Sequence, residues 1–276
     1  MDWKRAKTIL IWMFVFLNII LAVALYRDIK VGEIPQQTID NTQNILKQNN
    51  VHIECPIPRY MGNDYILQYD ETFLDRTKIA DVLLGDNYSK KSDTTYGKGT
   101  ENLVFTGDSG FEYSDTGSNK KIYTESKNGI DVYMKELAKK LGIPFDEFTQ
   151  DDFYTPSSGS GSRAVYKGVY KGYTVFDNYI DIEVGKAGLI SIKYHYKKPL
   201  SITSRDDIKV IPAYEILITK ITKYPGIFIR DVDMGFKGYT EVDKDTKTLY
   251  EGLSWRIKTS DGKEFYFNAR NGEEMD

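Results

Sequence analysis

Cysteine and histidine are almost absent from this chain. Among its 276 residues there are one cysteine and two histidines. A single cysteine excludes an internal disulfide framework and a zinc site built from a cysteine cluster. Two histidines leave very little for imidazole catalysis or for metal coordination.

The chain also lacks an excess of basic charge. Lysine and arginine total 37 against 40 aspartates and glutamates, which gives a formal net charge of −3. Nucleic-acid binding needs a basic surface that replaces the counterions of the phosphates. The charge balance therefore predicts no nucleic-acid partner.

Long apolar runs are absent except for one near the N-terminus. The 18 residues from Ile9 to Tyr26 carry no charge, and three cations precede them. As a helix they would rise about 27 Å, close to a hydrocarbon core of roughly 30 Å. We expect residues 9–26 to be a transmembrane helix. By the positive-inside rule, residues 1–8 are then cytoplasmic and the C-terminal part lies outside the cell membrane.

A cleaved signal peptide is the alternative to this single-pass anchor. Ala22-Val23-Ala24 fits the small-residue pattern of a cleavage site. Bulky residues within the run, and the apolar residues that follow Ala24, favour an uncleaved anchor. In both cases the remainder of the chain is exported.

One polar residue, Asn18, interrupts the apolar run. At helical spacing it shares a face with Ile11, Val15, Ala22 and Leu25. A side-chain amide within lipid is stabilised by a partner, and the small Ala22 permits close approach of a second helix. We expect this face to contact another membrane helix; the alternative is an isolated anchor that tolerates one asparagine.

Helical and strand patterns alternate beyond the apolar run. Helices are predicted at residues 38–49, 72–84, 130–141 and 212–224, and strands at residues 102–106, 110–114, 121–125, 164–171, 173–184, 189–196, 227–237, 249–259 and 264–268. Polar residues 89–100 and 151–162 are predicted as loops, the second of them mobile. The strands are grouped behind the helices, which predicts an α+β fold of repeated helix-plus-sheet units with antiparallel pairing only.

These units suggest a division of the exported part into domains. Residues 27–34 are predicted as a linker. A first α+β domain is expected at residues 35–125, and a second one, with two helix-plus-sheet halves, at residues 126–276. The boundary falls near Ser126.

Few side chains suggest chemistry. His52 and Cys55 could form half of a metal site, but residues three apart on a strand point to opposite faces, and no second pair completes the coordination. Asp231 and Asp233 share a strand face and could bind a cation or act as acid and base. A solvated surface is the simpler interpretation of both pairs. No catalytic, cofactor-binding or metal-ligating residue is predicted.

Two segments resemble known families. The start of YycI (WalI) proteins of Gram-positive Firmicutes is similar to the opening residues Met1-Asp2-Trp3-Lys4-Arg5-Ala6-Lys7-Thr8-Ile9-Leu10-Ile11 and to Phe16-Leu17-Asn18-Ile19-Ile20-Leu21. The segment from Trp255 to Glu273 resembles the closing hairpin of PepSY-type repeats, with Asn268 in place of the usual acid.

The resemblance to YycI implies a regulatory function. YycI-like proteins act with a similar protein, YycH, on the sensor histidine kinase YycG (WalK), a two-component system that controls cell-wall metabolism. They have no enzymatic activity, and their membrane helix contacts the helices of the kinase. Their exported domains resemble YycH and the beta-lactamase inhibitor protein. The expected partners are therefore the kinase, a YycH-like protein and the membrane.

Two other functions stay open at this point. An exported PepSY-like module tethered to the membrane could act as a protease inhibitor or a chaperone through its concave sheet face. An exported hydrolase could use Asp231 and Asp233. Replacing the anchor by an unrelated one should preserve the function of a tethered inhibitor or chaperone but abolish that of a YycI-like regulator. Alanine at both Asp231 and Asp233 tests the hydrolase.

Overall fold

The structure, a computed structural model, describes most of the chain. The described residues are 3, 7, 10–20, 34–70, 72–117, 126–155, 161–185, 188–238 and 250–275. Residues 10–20 are helical. The helices that follow are α1 Gln36–Gln48, α2 Arg76–Leu84, α3 Lys127–Leu141 and α4 Ala213–Thr219, with short 3₁₀ helices at Phe145–Glu147 and Ile221–Lys223.

The strands form one extended, hydrogen-bonded sheet. They are β1 His52–Ile53, β2 Asn63–Tyr69, β3 Ser89–Lys90, β4 Thr95–Lys98, β5 Glu101–Thr106, β6 Gly110–Asp115, β7 Phe148–Tyr154, β8 Ser162–Tyr170, β9 Tyr173–Gly185, β10 Gly188–His195, β11 Pro199–Lys209, β12 Phe228–Lys237, β13 Tyr250–Thr259, β14 Glu264–Asn268 and β15 Glu274–Met275. Their order along the main path is β11-β2-β13-β12-β9-β10-β6-β5-β4-β3. β8 and then β7 continue from β9, while β14 and then β15 continue from β13.

Parts of the predicted topology lie outside the described residues. Among the residues that the structure describes, no helix is long and apolar enough to cross a membrane. Residues 21–26 of the predicted membrane helix are not among them, nor are most of the predicted linker and the predicted strand at 121–125.

Capping residues set the ends of α2 and α3, which contact each other. The Asp75 carboxylate accepts a hydrogen bond from Lys78 N at 3.0 Å, and Ser126 Oγ accepts one from Gly129 N at 3.3 Å. α3 ends at Gly142, whose φ of 77° and ψ of 29° are left-handed values that favour glycine. The four helices predicted beyond the apolar run are confirmed, although α2 begins four residues later than predicted and the α-helical part of α4 is shorter.

The prediction of purely antiparallel pairing is wrong. β12 pairs in parallel with β9 through Gly235–Thr174 and Phe236–Val175, and β1 pairs in parallel with β12 at its other end. The long β9 pairs with β8 along one edge and shares its other edge between β10 and β12. Because β9 and β12 are distant in sequence and no hairpin connects them, local turn signals could not reveal this pairing.

Two apolar clusters lie between helices and sheet. The first combines α2 and α3 with strands β5 to β10, and the second combines α1 and α4 with β2, β12, β13 and β14. Residues on both sides of Ser126 pack in the first cluster, and residues 34–69 pack with residues 210–269 in the second. The clusters therefore follow a different division of the chain from the one predicted near Ser126.

Several strands of the structure are not predicted by the sequence pattern. β2 and β11 are not predicted, and β3, β4 and much of β7 lie in stretches predicted as loops. These stretches lack the regular alternation of apolar and polar residues that signals a half-buried strand. Their pairing partners, rather than their own composition, make them strands.

Candidate interaction surfaces

The predicted membrane-helix face is present for three of its five residues. Ile11, Val15 and Asn18 lie on one side of the helical residues 10–20, and all three side chains are exposed. Asn18 Nδ2 donates a hydrogen bond to Phe14 O at 2.8 Å. This bond leaves the side-chain oxygen Oδ1 and the second N–H of the Asn18 amide unused. Residues 22 and 25 are outside the described part of the chain.

A second surface is the face of strands β8, β9 and β10 that is turned away from the first apolar cluster. Ala164 and Tyr166 of β8, and Ile180 and Ile182 of β9, point into the first apolar cluster. Alternate residues of the same strands therefore point away from it. This surface, called the polar face, consists of Arg163, Val165 and Lys167 of β8, Tyr179, Asp181 and Glu183 of β9, and Lys193 of the neighbouring β10.

An ion network joins β7, which pairs with β8, to strands β12 and β13. Arg256 of β13 binds Asp151 of β7 through two hydrogen bonds, Nη1–Oδ2 at 2.7 Å and Nη2–Oδ1 at 2.8 Å. Its Nε and Nη2 also donate to the two oxygens of Asp233 of β12, at 2.9 and 2.6 Å. Lys258 Nζ lies 2.7 Å from Asp151 Oδ2. The ring of Phe176 lies below the guanidinium, 4.6 Å from centroid to Cζ.

Burial and ion pairing act against each other within the network. Burial would raise the pKa of Asp151, but hydrogen bonds and attraction from Arg256 and then Lys258 hold that pKa below its ordinary value. For Asp233, burial dominates and raises the pKa despite the contact with Arg256. Burial favours the neutral form of Arg256, yet its two aspartates raise the pKa of the guanidinium. The arginine therefore stays charged, and both carboxylates depend on it.

A groove of about 510 Å³ opens beside the network. The polar face forms one wall, and the β13–β14 hairpin forms another through Gly262, Glu264 and Tyr266. β7 contributes Asp152 and Tyr154. A neighbouring depression of about 420 Å³ shares Arg163, Asp181 and Lys193 with the groove, and it extends the concave surface toward Ser191.

A buried carboxyl, Glu251 of β13, lies outside the groove. Its side chain is 2% exposed and accepts a hydrogen bond from Tyr69 Oη. Burial, followed by repulsion from Asp177, raises its pKa to about 7, although Tyr69, Lys197 and Lys237 act in the opposite direction. This group therefore changes charge near neutral pH.

The two residue pairs in which the sequence suggested chemistry, His52 with Cys55 and Asp231 with Asp233, do not form sites in the structure. Both oxygens of Asp233 are bound to Arg256, so they are not available to form a cation site with Asp231. His52 stacks on Phe228 with 4.7 Å between ring centroids. Burial raises the pKa of the Cys55 thiol to about 11, which disfavours a thiolate ligand. Within the described residues, no cluster of His, Cys, Asp and Glu side chains could hold a metal ion.

Sequence reasoning missed the ion network and the groove. A signal for the network was present, since Arg256 and Lys258 alternate with apolar residues on a predicted strand, and Asp233 lies on the strand before it. The third participant, Asp151, lies in a stretch predicted as a mobile loop. No local pattern joins these segments, which are more than 80 residues apart.

Comparison with known proteins identifies the family. The family model described as YycI protein matches residues 30–270. The chain belongs to the YycI family. The matched region begins beyond the N-terminal residues that carry the sequence resemblance, so this YycI assignment rests on the rest of the chain. A search of curated proteins by sequence finds no match.

Two solved structures are similar to this chain, and one of them, YycH, shows the shared fold. YycH from Bacillus subtilis is similar with a TM-score of 0.50 and 11% identity, over 75% of this YycI chain and 52% of the YycH chain. An uncharacterized protein from Eubacterium rectale ATCC 33656 is similar with a TM-score of 0.45 and 9% identity, over 86% of this chain and 98% of that one. The likeness to YycH shows a shared mixed α+β fold dominated by a large sheet; the likeness to PepSY repeats stays a prediction.

Proposed function

We propose that this protein is a membrane-anchored, non-enzymatic regulator of a sensor histidine kinase similar to YycG (WalK). It acts with a YycH-like partner, and the kinase controls cell-wall metabolism. The observation that carries this proposal is the match to the YycI family over residues 30–270. The fold shared with YycH supports a common origin of the two accessory proteins.

The proposed anchor is the apolar run at residues 9–26. Its described part, residues 10–20, is helical and exposes every side chain. Among the large apolar ones, Leu10 is 70% and Trp12 69% exposed. Such side chains are stabilised when they leave water for lipid or for a partner helix. Three cations before the run support a cytoplasmic N-terminus and a sheet outside the cell.

Contact with the kinase takes place through the helix face of Ile11, Val15, Asn18, Ala22 and Leu25. An interhelical hydrogen bond to an amide is worth about 0.6–2 kcal/mol within lipid. This energy shifts a marginal helix assembly several-fold. The Asn18 carbonyl oxygen, which the intrahelical bond to Phe14 leaves free, is the group expected to accept such a bond.

Substitutions on the two sides of the helix test this function. Asn18→Leu removes the amide and slightly favours insertion, while Ala22→Phe adds bulk at the same seam. Both should reduce co-purification with the kinase from membranes several-fold and alter transcription of its target genes. Phe16→Leu and Ile20→Leu, on the opposite side, are the matched controls and should have no effect.

Equal behaviour of all four variants in both assays would contradict the proposed contact, and the helix would then be only a tether. An unrelated anchor that preserves the full effect on transcription would favour the alternative, an exported protease inhibitor or chaperone module tethered to the membrane. A chain that lacks its N-terminal residues in the mature protein, measured by mass spectrometry, would contradict the anchor itself.

A further inference from the structure

The groove beside the ion network has the size and lining of a small-ligand site. Its volume of about 510 Å³ lies within the range of pockets that hold small organic ligands, roughly 300–1,000 Å³. Its lining combines three tyrosines with charged side chains. We propose that this groove binds a ligand through a carboxylate group, with the Lys167 ammonium as the charged contact.

Lys167 lines the groove and forms no ion pair within the described residues. Its Nζ donates to Phe176 O at 2.9 Å and lies 5.3 Å from the centre of the Tyr179 ring. An ammonium has three N–H groups, so this arrangement leaves donors for a ligand. Within the described residues, no carboxylate oxygen lies within 4.0 Å of the Lys167 ammonium. Burial lowers the pKa of Lys167, although the more distant carboxylates of Glu264, Asp151 and Asp177 act in the opposite direction. An anion bound directly to the ammonium would raise this pKa again.

The second lysine of the groove, Lys193, is in a different position. Across the strands it faces Asp181 of β9 on one side and Glu112 of β6 on the other. Directly opposite charges on neighbouring strands attract each other. By contrast, the cross-strand neighbours of Lys167 are Tyr179 and Thr149, which carry no charge. Lys167 therefore has no charged residue directly opposite it on either neighbouring strand, whereas Lys193 has an acid on both.

The arginines around the groove are already occupied. Arg163 donates Nε and Nη2 to the two oxygens of Asp181, at 2.8 and 2.7 Å. Arg230 binds Asp152, and Arg256 binds two aspartates. Phosphate is recognised chiefly by bidentate guanidinium groups or by backbone N–H groups at a helix N-terminus. The described part of the groove offers neither in a free state.

The acidic residues of the lining narrow the ligand class further. Asp152, Asp181 and Glu264 all line the groove, each in an ion pair with an arginine, so the groove has no excess of positive charge for a dianion. A single carboxylate is compensated by Lys167 alone. The rings of Tyr154, Tyr179 and Tyr266 offer flat surfaces and hydroxyl groups for the uncharged remainder of the ligand. The ligand is therefore a monocarboxylate with a planar or polar body, either free in solution or at a peptide C-terminus.

Nuclear magnetic resonance of the full chain with ¹³C-labelled lysine tests this proposal. The probes are benzoate, the tripeptide Ala-Ala-Phe, its C-terminal amide and inorganic phosphate. Benzoate or the tripeptide acid should shift the Lys167 Cε resonance saturably and move the pKa of Lys167 back toward that of an exposed lysine. Saturation by benzoate alone would identify a small free carboxylate, and tighter binding of the tripeptide acid a polypeptide terminus.

Variants and control ligands complete the test. Lys167→Met should weaken binding of the carboxylate by about tenfold or more, since a charged hydrogen bond is lost. Lys140→Met, at an exposed position of α3, should bind like the unaltered chain. Equal binding of the acid and the amide, equal binding of phosphate, or the absence of a saturable shift at millimolar concentrations would each overturn the proposal. The acid–amide comparison uses the unaltered chain, so it decides the matter even where a variant fails to fold.

Discussion

Trp255 and Arg256 are consecutive in β13 and equally buried, with 1% and 2% of their surface exposed, yet their surroundings are opposite. Trp255 points into the second apolar cluster and donates its indole N–H to Ile211 O at 2.7 Å. Arg256 points to the other side of the sheet, into two carboxylates and the face of Phe176. One strand therefore separates an apolar interior from an ionic one.

The two sides stabilise the fold by different physical means. On the apolar side, stability grows with the area removed from water, and each side chain contributes almost independently of pH. On the ionic side, Arg256 and Lys258 are almost fully removed from water, so they are tolerated only while their carboxylate partners are present and charged. The ionic side should consequently respond to pH and to single deletions in ways that the apolar side does not.

The largest expected effect is that of Arg256→Leu. Removing the guanidinium leaves Asp151 and Asp233 buried without their main partner, which costs about 3–5 kcal/mol of unfolding free energy. Protonation of the two carboxyls at low pH partly relieves this cost. Urea unfolding at about pH 7 and about pH 4 should therefore show a smaller deficit at the lower pH.

Leu253→Ala is the matched change on the apolar side of the same strand. Leu253 is 1% exposed in the second cluster, and its truncation should cost about 2–5 kcal/mol at either pH. If both variants lose the same stability at both pH values, the distinction between the two sides of β13 is incorrect.

The next effect concerns Glu251, the buried carboxyl with a pKa of about 7 compared with an ordinary value of 4.5. Because the native state holds this proton more tightly than the unfolded chain, the contribution of Glu251 to stability is greatest below pH 4.5 and is lost as the pH rises through 7. Above that range the loss amounts to about 3 kcal/mol. Glu251→Gln keeps an acceptor for Tyr69 Oη and should remove this loss.

The measurement is the unfolding free energy of both proteins across this pH range. The curves of the original chain and of Glu251→Gln should meet in acid and separate in base, with the variant more stable. If the two unfolding free energies differ by the same amount at every pH, Glu251 does not change its pKa from 4.5 to about 7 on folding.

The smallest effect is expected from Asp152→Asn. The Asp152–Arg230 pair lies at the edge of the ion network, with side chains 31% and 38% exposed. Water and salt screen such a pair, so the loss should remain below about 1 kcal/mol and shrink further in high salt. Thermal unfolding at low and high ionic strength checks this, and a loss as large as that of Arg256→Leu would place Asp152 in the buried part of the network.

Much of the exported fold is predictable because its signals are local. The Asp261-Gly262 turn predicts the β13–β14 hairpin, and Gly262 has the φ of +85° that such a turn favours. The pattern of Val132/Tyr133, Leu137 and Leu141 predicts α3, although Val132 is exposed and Ile130 belongs to the buried side. In contrast, β7 has a polar sequence, so its strand conformation depends on pairing with β8.

The candidate sites divide in the same manner. The sequence alone determines the apolar run, the place of Asn18 within it and the resemblance to YycI, because these depend on residues within one helix or one short segment. The tertiary structure alone decides that Asp151 reaches Arg256 across 105 residues of sequence and that Lys167 forms no ion pair with any described residue. Charge pairing between distant strands depends on their register. That register is set by the packing of both apolar clusters rather than by any single segment.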